Sequence, residues 1–106
     1  MQHSVRKEGE ATVVALLGDV DLEHSPKARE LLLSTVGGSR KVLVDLSGVS
    51  YIDSSGVASL VEAFQLARKK GVSFALVSVN ASARRVLQLA RLDKVFTILE
   101  TVADGL

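Results

Sequence analysis

The residues best suited to chemistry stand together in the run Asp53-Ser54-Ser55-Gly56, between two apolar segments. A serine hydroxyl in such a place can cap a helix, act as a nucleophile, join a metal site or accept a phosphate. A cap formed by Ser54 or Ser55 is the first expectation, because serine is preferred at helix N-termini and a helical pattern follows. Gly56 is expected to allow close packing of that helix on a strand.

The same run makes a weak nucleophilic or metal site. A catalytic serine needs a base, and the chain has only His3 and His24, with no G-x-S-x-G turn. Asp21 and Asp53 are candidate oxygen ligands for a hard cation, but acids at loop tips are usually solvated. No glycine-rich phosphate loop of known spacing is present. We therefore expect no catalysis by this chain, no metal and no cofactor.

A second group of polar residues follows an earlier apolar segment and includes Asp19, Asp21 and Glu23. If the segments before this group and before Asp53 are neighbouring parallel strands, both groups lie at one edge of the sheet. Loops on a rigid scaffold commonly carry binding. The predicted partner surface consists of Asp21, Leu22, Glu23, His24, Ser25, Asp53, Ser55, Gly56, Val57 and Ala58.

Alternating strand and helix patterns give the elements that must position these groups. Two strands, Val5–Glu8 and Thr12–Asp19, are expected to form a hairpin around a short turn. A helix is predicted from Ser25-Pro26, with Ser25 as its cap, to Gly37-Gly38. The remaining predictions are a strand over 41–47, a helix after DSSG that stops at Gly71, a strand over 72–79, a helix capped by Asn80 and a strand over 94–100.

The helical spacing also predicts which faces are buried. The second helix repeats apolar residues at Val57, Leu60, Val61, Phe64 and Ala67, and the third has an inner face of Ala83, Val86, Leu87 and Ala90. The exposed face of the third helix is expected to carry Arg84, Arg85 and Arg91. The order ββαβαβαβ predicts an α/β fold with a mixed β-sheet and an N-terminal hairpin.

Length, charge and composition set the broad class. A chain of 106 residues suits one domain, residues 1–106, with a hydrophobic fraction of 47% and only 4% aromatic residues. A net charge of +1 gives no electrostatic case for nucleic acid or an anionic membrane. There is no cysteine and no apolar run of about 20 residues, so we expect neither disulfides nor membrane insertion. A cytoplasmic protein is the expectation.

The segment "VLVDLSGVSYIDSSGVASL" resembles the signature of the STAS domain, in particular that of the bacterial anti-sigma factor antagonists. The matching features are Asp45-Leu46-Ser47, the pair Tyr51-Ile52, and then Asp53-Ser54-Ser55-Gly56. The segments "LLGDVDLEHSPKARELL" and "LDKVFTILET" look like the first helical region and the closing strand of the same family. The resemblance covers almost the whole chain and preserves the order of elements.

The resemblance implies a role and a site. In that family the serine after the aspartate is phosphorylated by a partner anti-sigma factor that is itself an ATP-dependent serine kinase, and a phosphatase restores the unphosphorylated form. Carried over, Ser54 is the phosphoacceptor, Ser55 and Gly56 belong to the recognition loop, and Asp21 lies beside the phosphosite. The amides of the helix N-terminus would favour the phosphate, while Asp21, Glu23 and Asp53 would repel it.

Two alternatives remain open from the sequence. The chain would also fit a non-switching STAS subunit of an ABC lipid-transport system or of a stress-signalling assembly. A receiver-like phosphoacceptor with magnesium held by acids is less favoured, because it needs a lysine near the end of a late strand. The segment "LETVADGL" contains none.

Overall fold

The chain begins with a β-hairpin. In the computed structural model, which describes all 106 residues, β1 (Gln2–Glu8) pairs antiparallel with β2 (Ala11–Val20). The turn holds Gly9 at a φ of +61°, a left-handed conformation that glycine adopts without the strain a Cβ would bring. The predicted hairpin is confirmed, although β1 begins at Gln2 rather than Val5.

Parallel strands joined through helices complete the sheet. In chain order the remaining elements are α1 (Ser25–Gly37), β3 (Lys41–Ile52), α2 (Ser54–Lys70), β4 (Ser73–Val77), α3 (Ala81–Leu89), β5 (Ile98–Leu99) and α4 (Val102–Gly105). The strand order is β1-β2-β3-β4-β5, and β2 to β5 are mutually parallel. The predicted mixed sheet in an α/β fold is confirmed. The carboxyl ends of β2 and β3 therefore meet at one edge.

The core is mainly aliphatic and lies on both faces of the sheet. Val42 and Val44 of β3 face the larger cluster, which is closed by α1, α2 and α3, while Leu43 between them faces the smaller cluster. This alternation follows from the two-residue period of a strand. Val102 of α4 packs against the smaller cluster, and the chain's three phenylalanines meet in the larger one.

β3 is longer than predicted and supports the candidate site. It continues past Ser47 to Ile52, and its register with β2 shifts twice on the way. β4 pairs only with residues 41–45, so residues 46–52 extend beyond it. The Asn80 amide group donates to the Val49 carbonyl at 2.6 Å, and Asn80 Oδ1 accepts from the Ala83 amide at 2.8 Å. Asn80 therefore caps α3 as predicted and also holds the free edge of β3.

The start of α1 differs from the prediction. Its N-cap is His24, in an α conformation and without a side-chain capping hydrogen bond. Ser25 is the first helical residue and is buried, with its hydroxyl 3.4 Å from the Leu22 carbonyl oxygen. The serine-proline pair therefore marks the helix start correctly, but the serine is not its cap.

The end of the chain also differs from the prediction. α3 ends at Leu89, so Ala90 is exposed rather than part of the inner face, and Arg91 turns the chain at a φ of +60°. The turns that follow place Phe96 in the core, with its ring centroid 5.3 Å from that of Phe64. Since these residues turn to bury an aromatic ring, only Ile98–Leu99 remain to form β5.

Candidate functional site

The N-terminus of α2 is capped by an aspartate rather than a serine. Asp53 has an extended backbone, and its Oδ1 accepts hydrogen bonds from the amides of Ser55, at 3.0 Å, and Gly56, at 3.1 Å. These are two of the amides that a helix start leaves without partners. The prediction that Ser54 or Ser55 forms the cap is therefore wrong, because the carboxylate directly before the serines reaches the same amides.

The cap separates the two serines into different environments. The Ser55 hydroxyl donates to Asp53 Oδ1 at 2.5 Å and is half-buried. Ser54 is the first residue of α2, is exposed, and its hydroxyl takes part in none of the hydrogen bonds of the helix start. The Ser55 hydroxyl is thus hydrogen-bonded within the helix start, and the Ser54 hydroxyl is exposed and can be reached by a partner.

Gly56 allows α2 to approach the end of β2. A Cβ at this position would lie 2.2 Å from the Val20 carbonyl oxygen and 2.8 Å from Ile52 Cγ1. Neither contact is sterically possible without moving the helix, so the predicted close packing of helix on strand is confirmed. Any other residue would displace the first turn of α2, and with it Ser54.

Asp53 also connects the two loops at this edge. Its Oδ2 accepts from the Leu22 amide at 3.2 Å, and its own amide donates to the Val20 carbonyl at 3.4 Å. The pairing of Val20 with Ile52 in the parallel register brings the ends of β2 and β3 side by side. The sequence prediction that these junctions share one edge is therefore confirmed.

The loop after β2 is fixed by its own hydrogen bonds. Asp21 Oδ1 lies 2.7 Å from His24 Nδ1 and accepts from the His24 amide at 3.1 Å, while the Asp21 carbonyl accepts from the Ser25 amide at 2.7 Å. The loop presents Leu22 and Glu23, both exposed. It is a preorganised turn, since each of its ends is tied to α1 or α2.

Both loop carboxylates carry negative charge at neutral pH. The hydrogen bond from the Ser55 hydroxyl, followed by that from the Gly56 amide, holds the pKa of Asp53 below its ordinary value. Desolvation acts to raise the pKa of Asp21, but the hydrogen bonds and electrostatic attraction of His24 outweigh it and lower the pKa. A negative group placed here would therefore meet two ionised acids.

A buried serine that the sequence interpretation missed joins α1 to α2. The Ser59 hydroxyl lies 3.2 Å from the carbonyl oxygens of both Ser25 and Ser55, and Ser59 is almost fully buried. The only feature of the sequence that indicates this contact is the spacing of four residues between Ser55 and Ser59, which places both on one face of a helix. Farther along, Arg29 of α1 pairs with Glu62 of α2 across an open groove of about 340 Å³.

The predicted partner residues divide by exposure. Leu22, Glu23 and Ala58 are exposed, and Asp21, His24, Asp53 and Ser55 are half-buried. Ser25, Gly56 and Val57 are buried, so they shape the surface from beneath rather than offer side chains to a partner.

Nowhere in the structure do three or more histidine, cysteine or acidic side chains converge as a metal-binding group would require. None of the four helices combines the length and the apolar character that crossing a bilayer demands.

Similar proteins, found by sequence and by structure, carry the same family name. A protein of Thermotoga neapolitana provisionally named an anti-sigma factor antagonist is 36% identical over 69 residues, 65% of this chain. That match spans 61% of the relative, less than two thirds of its length. A crystal structure of an anti-sigma factor antagonist from Mycobacterium paratuberculosis has a TM-score of 0.89 at 25% identity, covering 98% of this chain and 89% of that one.

The fold is also that of SpoIIAA, a Bacillus cell fate determinant solved in its phosphorylated form. The TM-score is 0.75 at 18% identity, over 97% of this chain and 95% of that one. The family model described as the STAS domain matches residues 2–105. Since this match covers almost the whole chain, the chain belongs to the STAS domain family.

Proposed function

We propose that this chain is an anti-sigma factor antagonist whose partner is an anti-sigma factor serine kinase and whose binding is switched at Ser54. The unphosphorylated chain binds the kinase and so releases a sigma factor, in the cytoplasm. Phosphorylation of Ser54 ends that binding, and a serine phosphatase reverses it. The chain supplies the hydroxyl and the binding surface, and the kinase supplies ATP and the catalysis. The names of its relatives support the general role.

The observation that carries the proposal is the different state of two adjacent hydroxyls. Ser55 is hydrogen-bonded to the capping carboxylate, whereas Ser54 is exposed on the first turn of α2. A kinase must bring its reacting phosphate to within about 3–3.5 Å of the acceptor oxygen. Ser54 permits this approach with the helix start intact, while Ser55 would first have to break its bond to Asp53.

The charge around Ser54 supports a switch. A phosphate adds about −1.5 to −2 charges at neutral pH. The amides of Ser55 and Gly56, which we expected to favour it, already donate to Asp53. The phosphate would therefore gain the helix dipole but not these two amides, and it would be repelled by the ionised Asp53 and Asp21. It would turn outward, into the space that the partner must occupy.

An added charge of this size is sufficient to act as a switch. Like charges brought together in an interface cost several kcal/mol. A loss of about 3–4 kcal/mol weakens association several-hundred-fold, since every 1.4 kcal/mol is a factor of ten. The fold itself need not change, because the phosphate would replace no hydrogen bond at the helix start.

The direct test is phosphate transfer. The parent chain, Ser54→Ala and Ser55→Ala would each be incubated with ATP and with each purified anti-sigma factor kinase of the same organism, followed by intact mass and site mapping. We expect one phosphate on the parent and on Ser55→Ala, and none on Ser54→Ala. Label on Ser55 of the parent would refute the assignment to Ser54. A parent chain that binds a kinase but is never labelled would instead be a non-switching STAS subunit.

A further inference from the structure

We propose that Leu22 and Tyr51 are the apolar anchors by which the anti-sigma factor kinase holds this chain. The inference rests on the proposed function and deepens it by naming the residues that slow dissociation of the complex. Leu22 belongs to the partner surface predicted from the sequence, whereas Tyr51 lies outside it.

Both side chains are large, apolar and exposed. Leu22 is 76% exposed and Tyr51 is 54% exposed, whereas the residues beside them, Val20 and Ile52, are buried in the core. Single exposed apolar residues are common on protein surfaces, but these two lie beside each other at the edge that carries Ser54. Burying one of them fully in an interface is expected to tighten binding about tenfold or more.

The backbone of Leu22 is held in place by hydrogen bonds. Its amide donates to Asp53 Oδ2, and the turn around it is closed by the hydrogen bonds of Asp21 with His24 and Ser25. A side chain on a preformed turn loses less conformational entropy on binding than one on a flexible loop. Tyr51 is equally fixed in its backbone, because it is paired with Asp19 in the sheet.

Both residues lie close to Ser54 at the same edge of the sheet. Tyr51 precedes Ser54 by three positions, so their Cα atoms are at most about 11 Å apart. The hydrogen bond from Leu22 to Asp53 places Leu22 within about 12 Å of Ser54. An interface of standard size buries about 800 Å² on each partner, equivalent to a disc of roughly 16 Å radius. Both anchors are therefore within reach of a kinase centred on Ser54, Leu22 on the loop and Tyr51 on the face of β3 opposite Ile52.

The surroundings of the anchors define the chemistry of the partner surface. Asp19, Asp21 and Glu23 lie beside Leu22 and Tyr51 along the ends of β2 and β3. The complementary surface would have apolar pockets for a leucine and an aromatic ring, with lysine or arginine around them. Such a division is common in interfaces, where apolar anchors give most of the affinity and rim charges give association rate and specificity.

The experiment measures association and dissociation rates for the kinase that labels Ser54, purified and held with ADP, against the parent chain and three variants. Leu22→Ser and Tyr51→Thr remove the two anchors, and threonine keeps the strand preference at position 51. Leu89→Ser is the matched control, because Leu89 is also 76% exposed but lies at the end of α3. Thermal unfolding of each variant confirms that the fold is retained.

We expect Leu22→Ser and Tyr51→Thr each to weaken binding about tenfold or more, mainly through faster dissociation, and Leu89→Ser to bind within about twofold of the parent. If both anchor variants bind and dissociate like the parent, or if Leu89→Ser weakens binding as much as they do, the inference is wrong while the proposed function stands. If the parent chain neither binds nor is labelled by any of the kinases, the proposed function fails and the inference fails with it.

Discussion

At the scale of single residues, the site depends on the carboxylate of Asp53. It accepts from Ser55 and Gly56 at the helix start and from Leu22 in the neighbouring loop. One side chain thus caps α2, engages the hydroxyl of the second serine and fixes the loop that faces the first. The reactivity proposed for Ser54 depends on this arrangement, although Ser54 itself makes none of these bonds.

Two substitutions of Ser54 should distinguish the effect of losing its hydroxyl from the effect of adding a negative charge at its position. Ser54→Ala is expected to bind the partner within about twofold of the parent and to change the unfolding free energy by no more than about 0.5 kcal/mol, because its side chain is exposed and outside the cap. Ser54→Asp should bind roughly ten- to a hundredfold more weakly, short of a phosphate's effect because a carboxylate carries less charge. Titration calorimetry with the kinase measures both, and equal affinity of Ser54→Asp and the parent would contradict the switch.

The stability of Asp53→Asn relative to the parent should depend on pH, because the substitution removes the negative charge of the capping side chain. A carboxyl whose pKa is lowered by folding stabilises the native state above its unfolded pKa, and that contribution is lost as pH falls through the folded pKa. At neutral pH the variant should melt roughly 5 °C below the parent, since asparagine keeps one acceptor but not the bond from Leu22. As the pH falls below the carboxyl's ordinary pKa of 3.8, this difference should shrink toward zero.

Thermal unfolding followed by circular dichroism at several pH values provides the measurement. Asp19→Asn is the matched control, because it also removes one negative charge near the site but from an exposed side chain. If the difference in melting temperature between the parent and Asp53→Asn stayed constant from neutral pH to about pH 2, the charge of Asp53 would contribute nothing to stability.

At the scale of elements, the site exists because β2 and β3 are parallel neighbours and α2 begins where β3 ends. The pairing of Val20 with Ile52 fixes the height of the two loops, and Gly56 lets α2 start against the Val20 carbonyl. The shifts in register along β3 and the side chain of Asn80 support the extended end of that strand. Bulges of this kind are common next to functional sites, where they redirect a chain segment.

Gly56→Ala should therefore be destabilising even though alanine is the better helix former. The added methyl would meet the Val20 carbonyl oxygen at 2.2 Å, so we expect a loss of about 1–3 kcal/mol and altered chemical shifts around Ser54. Gly37→Ala is the control, because it also lies in a helix and its Cβ would meet nothing within 4 Å. That variant should gain up to about 1 kcal/mol. Denaturant unfolding compares the two, and similar stability of both variants would contradict the close approach.

At the scale of the whole molecule, acidic residues gather where α1 and α2 begin and basic residues gather where α2 ends. The acids Asp21, Glu23 and Asp53 lie at the edge where α1 and α2 begin, and Arg68, Lys69 and Lys70 form the last turn of α2, about 25 Å away. Acids near helix N-termini and cations near C-termini both complement the helix dipole. The helices that follow parallel strands run in one direction, so their N-termini lie at the same edge of the sheet. The acids are concentrated at that edge, which is therefore acidic although the net charge of the chain is +1.

Stability should also be uneven across the molecule. β3 is paired on both sides and buries Val42, Leu43 and Val44, whereas β1 is an edge strand with almost every side chain exposed. Amide hydrogen exchange should show the slowest rates in residues 42–44 and rates faster by orders of magnitude in the paired amides of β1. Equal protection of β1 and β3 would show that the hairpin opens only with global unfolding.

The sequence by itself determined the order of elements and the place of the site. Strand and helix periodicities are local properties, so they predicted the hairpin, the three main helices and the shared edge of Asp21 and Asp53. The same local signals misplaced features that depend on distant contacts. The short β5 is one of these, since burial of Phe96 against Phe64 overrides the strand preference of residues 94–97.

The tertiary structure decided which groups are free to act. DSSG offers two serines of equal intrinsic chemistry, and only the folded helix start shows that Asp53 engages Ser55 and leaves Ser54 exposed. Likewise, only the structure shows how much of Leu22 and Tyr51 remains exposed beside the buried Val20 and Ile52. The physical reason is the same for both: hydrogen-bond geometry and burial depend on where the ends of β2, β3 and α2 meet, which residue types and spacing alone do not specify.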